Sequence, residues 1–265
     1  MNLDYTKRWK YLKFFPDHPK PLLFGHRGCS KAAPENTLAA FEAVLVNRIP
    51  GVEIDIHMCG TGELVVIHDS HLKRITGIDS VVEHTSYKEL KKLDAGSWFH
   101  EKYRGERIPL LEEVLELLGE KVYYDIEIKT VRNNYGPLEE KLIKLLNRRK
   151  LRDHVLISSF DPFSLREVIR QDPSLSTAHI YSGHKDLPLL LRSGAGRFIC
   201  RPLALKPHRR KVGRTSIALK QRAEGYPLLT WTVDDPSEAE MLLSMGVDGI
   251  ISNVPERMLS LLNRP

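Results

Sequence analysis

The stretch GVEIDIH, residues 51–57, carries two patterns at once. Val52, Ile54 and Ile56 alternate with Glu53, Asp55 and His57. Successive residues of a strand point to opposite faces, so the apolar set shares one face and the polar set the other. β-branched residues at this period read as a strand. Its second face is acidic where a half-buried strand would ordinarily be core or bland surface, and the rest of the chain must explain that.

Working outward, strand-like and helix-like runs alternate. PLLFGHRG (21–28) reads as a strand ending in glycine. ENTLAAFEAVLVN (35–47) reads as a helix, with Asn36 and Thr37 as cap candidates and Leu38, Phe41, Val44 and Leu45 as its apolar stripe. KVYYDIEIKT (121–130) is another strand, followed by a helix over 137–149. Then come HVLISSF (154–160), STAHIY (176–181), RFICRPLAL (197–205), PLLTWTV (227–233) and DGIISN (248–253). Helical stretches near 162–171, 185–193, 213–224 and 235–246 separate them, and a last helix covers 256–263. Strict alternation implies a parallel sheet in an α/β protein. Eight such units in about 250 residues predict a (β/α)8 TIM barrel. The competing architecture is an open doubly wound sheet, which usually shows a GxGxxG turn after its first strand; GHRGCS (25–30) does not match it.

One stretch breaks the alternation. After GVEIDIHMC comes GTGELVVIHDS (60–70), a second β-run behind a short glycine-containing turn. Parallel strands need a long crossover, so this link permits only an antiparallel hairpin. Residues 64–69 are the expected return strand, and folding about 60–61 places His68 opposite Glu53. A long excursion follows over 71–109, with a short helix at 86–93. The chain 1–265 thus reads as a single barrel domain with an insertion of approximately 58–109. Long excursions at the C-terminal ends of barrel strands commonly cover an active site.

Polar residues at those strand ends are the candidates for chemistry. The first strand ends in His26 and Arg27, and the second carries Glu53 and Asp55. The hairpin brings His68, the next strand Glu127 and Lys129, and later strands Phe160 and Trp231. Three carboxylates packed together would not all ionise unaided. One divalent cation bound by Glu53, Asp55 and Glu127 removes the conflict. An all-oxygen donor set suits Mg²⁺ or Ca²⁺ rather than a structural zinc. Arg27 and Lys129 suit a substrate phosphate. His26 and His68 supply a general acid and a general base near neutral pH. Together these describe cleavage of a phosphate ester.

The ordered set HRG (26–28), PENT (34–37), ExD (53–55), HD (68–69), EIK (127–129), TWT (230–232) and DGIISN (248–253) resembles the glycerophosphodiester phosphodiesterases. LDAGSWF (93–99) and GERIPLLEEVL (105–115) are similar to the short bacterial-type members. The resemblance covers about residues 22 to 260. It implies a barrel with a small insertion carrying the second histidine. It also implies cleavage of a glycerophosphodiester to glycerol 3-phosphate and an alcohol. By motif, His26 and His68 would be the acid/base pair, and Glu53, Asp55 and Glu127 the metal ligands. Arg27 and Lys129 would hold the phosphate, with Phe160 and Trp231 as an apolar wall. Which histidine gives the proton and which takes it does not follow from the sequence. Asp234 stands where the family often has Asn, and a loop-capping role is expected for it. Asp125 stands where relatives often have Asn, and a structural role is expected. Asn36 is a cap or a contact to the site, and Cys29 is assigned packing only.

Bulk properties set the remaining bounds. The chain has 265 residues, 42% hydrophobic and 28% charged, which is an ordinary globular composition with a substantial core. Three cysteines lack CxxC spacing, so a disulfide framework and a zinc site are not expected, and a reducing, cytoplasmic setting fits. No run of about 18 apolar residues predicts a transmembrane segment. The net charge of +6 admits an anionic small-molecule substrate without calling for nucleic acid. The basic, aromatic N-terminus suggests either peripheral membrane contact or a segment closing one end of the domain; the second reading is preferred. The basic run 206–214 is either a solvated loop or a grip on an anionic headgroup. His57 is a fourth ligand, a pocket wall or a partner to a carboxylate. Two other functions compete: a lysophospholipase D-type enzyme acting on lysolipids, and a non-catalytic phosphate-ligand binding barrel.

Overall fold

A computed structural model of the chain describes residue 15 and residues 21–130, 134–185, 187–213 and 217–262. The first half runs β1 (Leu22–His26), α1 (Leu38–Val46), β2 (Gly51–Met58), β3 (Leu64–Val66), α2 (Lys73–Thr76), α3 (Tyr87–Leu90), α4 (Leu111–Leu118), β4 (Tyr123–Ile128) and α5 (Pro137–Arg149). The second half runs β5 (Val155–Ser159), α6 (Pro162–Gln171), β6 (Ser176–Tyr181), α7 (Arg197–Cys200), β7 (Ala204–Pro207), α8 (Ile217–Ala223), β8 (Leu229–Thr230), α9 (Pro236–Ser244) and β9 (Gly249–Ser252). The strands pair in the order β7-β6-β5-β4-β2-β1-β9-β8. Every pairing along this path is parallel. Parallel bridges Leu205↔Leu228 and His208↔Trp231 join β7 to β8 and bring the sheet round on itself. The expected (β/α)8 barrel is present, with β3 antiparallel on β2.

The two faces of β2 now have separate surroundings. Val52, Ile54 and Ile56 pack outward with Ile126 and Ile128 against Phe41, Val44, Leu115, Leu142 and Leu146 of the helices. Each such side chain contributes about 1.5–3 kcal/mol when fully buried. The barrel interior holds a second apolar cluster, with Leu22, Phe24, Leu156, Ala178, Ala204, Leu229 and Ile251, sealed by Phe15. Phe15 stacks obliquely on Phe24 and Tyr123. Most of the basic N-terminal segment lies outside the described residues. Among the described residues no helix is long and apolar enough to cross a membrane.

Several expectations shift. The hairpin pairs Ile56↔Val66, His57↔Val65 and Met58↔Leu64, one residue out from the predicted register. The turn is longer than assumed, because Cys59 N–H bonds the Glu63 carbonyl before pairing begins. The sixth barrel strand starts at Ala204 rather than 197, since Arg197–Cys200 is a short helix. The helix expected over 185–193 is only a 3₁₀ turn at Leu191–Ser193, between Pro188 and the left-handed Gly194. The closing helix is 3₁₀, Pro255–Leu261.

The turn after β1 sets the rim. Arg27 and Gly28 both have positive φ, 57° and 83°. A Cβ on Gly28 would lie 2.7 Å from the Ala40 carbonyl oxygen. Gly28→Ala should therefore cost about 2–4 kcal/mol, from left-handed strain plus overpacking, read as a lower denaturation midpoint. A second prediction concerns His179, fully buried inside the fold, whose Nδ1 donates to the Ser159 carbonyl at 3.4 Å. Burial pushes its pKa down to about 4. The unfolded chain takes this proton first, so the neutral ring stabilises the fold fully above about pH 6.5. That contribution is lost as pH falls toward 4. His179→Gln should flatten the stability-versus-pH slope across this window, measured by urea denaturation.

Candidate active site

The acids of β2 face those of β4 across the parallel ladder, Glu53↔Asp125 and Asp55↔Glu127. All four are buried. Oxygens of Glu53, Asp55 and Glu127 lie within 4.8 Å of one another. Burial, then the neighbouring Asp55, pushes the Glu53 carboxyl well above the usual carboxylate range. Burial would raise Asp55 too, but Lys129 and Arg27 hold it well below that range. Lys129 Nζ sits 2.9 Å from Asp55 and also bonds Glu127. Arg27 Nε is 3.2 Å from Asp55, and the Arg27 backbone N–H donates to Glu53 at 2.9 Å. Three hard oxygen donors, one of them disfavoured as a bare anion, fit a divalent cation.

Asp125 stands apart from that cluster. Its carboxylate lies 2.6 Å from Lys206 Nζ and accepts the Ser158 hydroxyl at 2.7 Å. Lys206 also donates to Ser158 at 2.9 Å and is 2% exposed. Burial opposes its charge, but Asp125, Glu53 and Glu127 keep the ammonium above its ordinary pKa. Asp125 is thus paired with a cation inside the barrel.

The two histidines have unlike partners. His26 Nδ1 is 2.6 Å from Asn253 Oδ1. The Asn253 amide is oriented by Asp234, which accepts its backbone N–H and its Nδ2–H, both at 2.8 Å. Asn253 Oδ1 is therefore the acceptor and His26 Nδ1 the donor, which leaves Nε2 with its lone pair. Burial, then Arg27, pushes the His26 pKa down to about 4. His68 Nδ1 instead meets the Asp69 carboxylate at 2.6 Å. Burial would raise Asp69, but Arg74 and His68 hold it down at about 2. Arg74 bridges Asp69 at 2.5 Å and Glu35 at 2.7 Å, and Glu35 pairs with Arg27 at 2.8 Å.

His26, Arg27, Glu53, His68, Glu127, Lys129, Phe160 and Trp231 all line one cavity of about 700 Å³. Phe160 and Trp231 meet edge to face, ring centroids 5.6 Å apart. The Trp231 indole donates to the Lys206 carbonyl, and its peptide to Thr232 is cis. A concave, largely apolar cleft with convergent polar groups is the usual form of a small-molecule site.

Residues 26–257 match the glycerophosphoryl diester phosphodiesterase family. The chain belongs to that family. It is 38% identical over 248 residues to a glycerophosphodiester phosphodiesterase of Caldanaerobacter subterraneus, covering 92% of this chain and 99% of the relative. It is 32% identical to a glycerophosphodiester phosphodiesterase of Bacillus subtilis, covering 89% and 84%. An Oleispira antarctica phosphodiesterase, solved with the product sn-glycerol-3-phosphate, superposes with a TM-score of 0.82 at 30% identity over 91% and 96% of the two chains. This glycerophosphodiester phosphodiesterase family member is accordingly a phosphoric diester hydrolase. The reading as a non-catalytic binding barrel is set aside.

Eight of the nine candidate residues line this cavity, and Asp55, outside its lining, has a carboxylate oxygen within 4.8 Å of those of Glu53 and Glu127. His57 is not in the acid cluster: its Nδ1 meets Glu83 at 2.6 Å and its Nε2 meets the His68 carbonyl at 3.1 Å. Thr37, not Asn36, caps α1, and Asn36 donates to Asp55 at 2.9 Å. Asp234 does more than cap a loop, because it orients Asn253 behind His26. Lys206, Arg74, Glu35 and Asn253 escaped the sequence reading as site residues. Glu35 and Asn253 sat inside quoted motifs and Lys206 opened the basic run 206–214; Arg74 carried no local signal.

Lys206→Met should leave Asp125 buried and unpaired, at a cost of about 3–5 kcal/mol. Lys206→Met with Asp125→Leu should recover much of that loss. A double-mutant cycle in urea measures the coupling.

Proposed function

We propose that the chain hydrolyses glycerophosphodiesters to glycerol 3-phosphate and an alcohol, with His26 as general base and His68 as general acid. The observation that carries this assignment is the contrast between their partners: a neutral amide for His26 and an ionised carboxylate for His68. Burial and Arg27 keep the His26 ring neutral near pH 7, the form a general base needs. His26, neutral near pH 7 with Nε2 open, takes a proton from water or a substrate hydroxyl. His68, its ring oriented by Asp69 through Nδ1, gives a proton to the departing alkoxide. Arg27 and Lys129 hold the phosphoryl oxygens, and Phe160 and Trp231 exclude water along one wall. Glu53, Asp55 and Glu127 would hold one Mg²⁺ or Ca²⁺, which when bound supplies Lewis-acid neutralisation of phosphoryl charge. The barrel and its 58–109 insertion act as one catalytic unit.

His26→Ala and His68→Ala should each lower kcat/KM on an alkyl diester by roughly 10²–10⁴-fold. On a 4-nitrophenyl diester, whose leaving group needs no proton, His68→Ala should recover most activity while His26→Ala stays slow. Equal loss for both variants on both substrates would sink the assignment. Chelation should abolish turnover, and titration with Mg²⁺ and Ca²⁺ should restore it for the wild type but not for Glu127→Gln. Release of choline from lysophosphatidylcholine, with no cleavage of glycerophosphocholine, would favour the lysophospholipase D reading instead.

A further inference from the structure

The same cavity extends beyond the acids and histidines to the loops after β6 and β7. There it is lined by Gly183, His184, His208, Arg210 and Lys211. The cations near the acids are already neutralised: Arg27 by Asp55 and Glu35, Lys129 by Asp55 and Glu127, and Lys206 by Asp125. Arg209 turns to Glu238 at 2.5 Å. Arg210 and Lys211 differ. Neither side chain has an ion-pair partner among the described residues, and among those residues the acids lining the whole cavity are Glu53 and Glu127.

Both residues line the cleft. A Cβ on Gly183 would lie 3.2 Å from Lys211 Cε and 3.5 Å from Nζ, so the Lys211 stem lies along the β6 loop that forms the wall. His208, between Trp231 and the basic pair in the lining, is pushed below its ordinary pKa by burial, then by Arg209 and Arg210. Its ring meets Trp231 edge on, centroids 5.0 Å apart. A wall of Phe160, Trp231 and His208 therefore leads from the catalytic groups to two cations with no acid partner among the described residues. A cavity of about 700 Å³ is in the range that holds a drug-sized molecule, well beyond a glycerol phosphate alone. Low-dielectric walls strengthen the field of charges set at such a mouth.

We infer that the leaving-group end of this cavity selects an alcohol bearing its own negative charge, a phosphate or a carboxylate, through Arg210 and Lys211. This rests on the diesterase reading above. The shared phosphodiester end is held by Arg27 and Lys129, and the second anion lies at the β6–β7 loops. A quaternary ammonium headgroup meets like charge there.

The experiment is a kcat/KM panel on the full chain with four diesters: glycerophosphoglycerol, the same diester with a terminal phosphate monoester, glycerophosphoglycerate, and glycerophosphocholine. The two anionic substrates should exceed the neutral one by roughly five-fold or more, and choline should be poorest. The advantage should shrink as salt rises. The relative rates of the phosphate and carboxylate arms identify which anion fits. The double variant Arg210→Glu, Lys211→Glu should invert the order of the anionic and choline arms. A melting curve checks that this surface variant stays folded. Preference for glycerophosphocholine, or an order untouched by the double variant, overturns the inference and leaves the diesterase reading intact. Cleavage of none of the four overturns both.

Discussion

The site depends on keeping four carboxylates inside one barrel end. Glu53, Asp55, Asp125 and Glu127 lie on two adjacent strands, all buried. Isolated charges there would be strongly disfavoured. The fold answers with cations from three other places in the chain: Arg27 after β1, Lys129 after β4 and Lys206 on β7. Asp125 is matched by Lys206, which leaves Glu53, Asp55 and Glu127 short of positive charge. That deficit is what a divalent cation would fill. The barrel closes around this balance, because Lys206 lies on the strand that bridges to β8.

A second network ties the insertion to the barrel. β3 is only three residues long, so main-chain pairing alone holds the hairpin weakly. Polar side-chain contacts supplement it: His57 with Glu83 on one side, and His68–Asp69–Arg74–Glu35–Arg27 on the other. The second chain runs from one histidine to the arginine that faces the acids. It fixes His68 at the mouth as much as it orients the ring. His26 is fixed differently, from behind, through Asn253 and Asp234. Two like imidazoles are thus held by unlike partners: the Nδ1 of His26, whose pKa burial and Arg27 lower, rests on an amide, and the Nδ1 of His68 on a carboxylate.

The legible parts of the fold were those written in local periodicity. The alternation of β-branched and helical runs gave the barrel, and the acid-bearing strands 51–57 and 121–130 gave the core of the site. Residues on the same strand face, or at a strand end, announced themselves: Glu53, Asp55, Glu127 and His26. The register of the hairpin was misjudged because its turn length, not its hydrophobic pattern, sets the pairing. The 185–205 region was misjudged because Pro188, Gly194 and Gly196 interrupt a pattern that is otherwise apolar enough for a helix or a strand.

The sequence by itself determined the strand order along the chain, the acid triad and the two histidines, because period two and motif spacing fix which side chains share a face. Only the tertiary structure decided the partners: Lys206 for Asp125, Asn36 for Asp55, Asn253 for His26, and, among the described residues, no acid for Arg210 and Lys211. These contacts join residues up to 227 positions apart, as His26 to Asn253. Pairings across such distances arise when the barrel closes, and no local pattern encodes them.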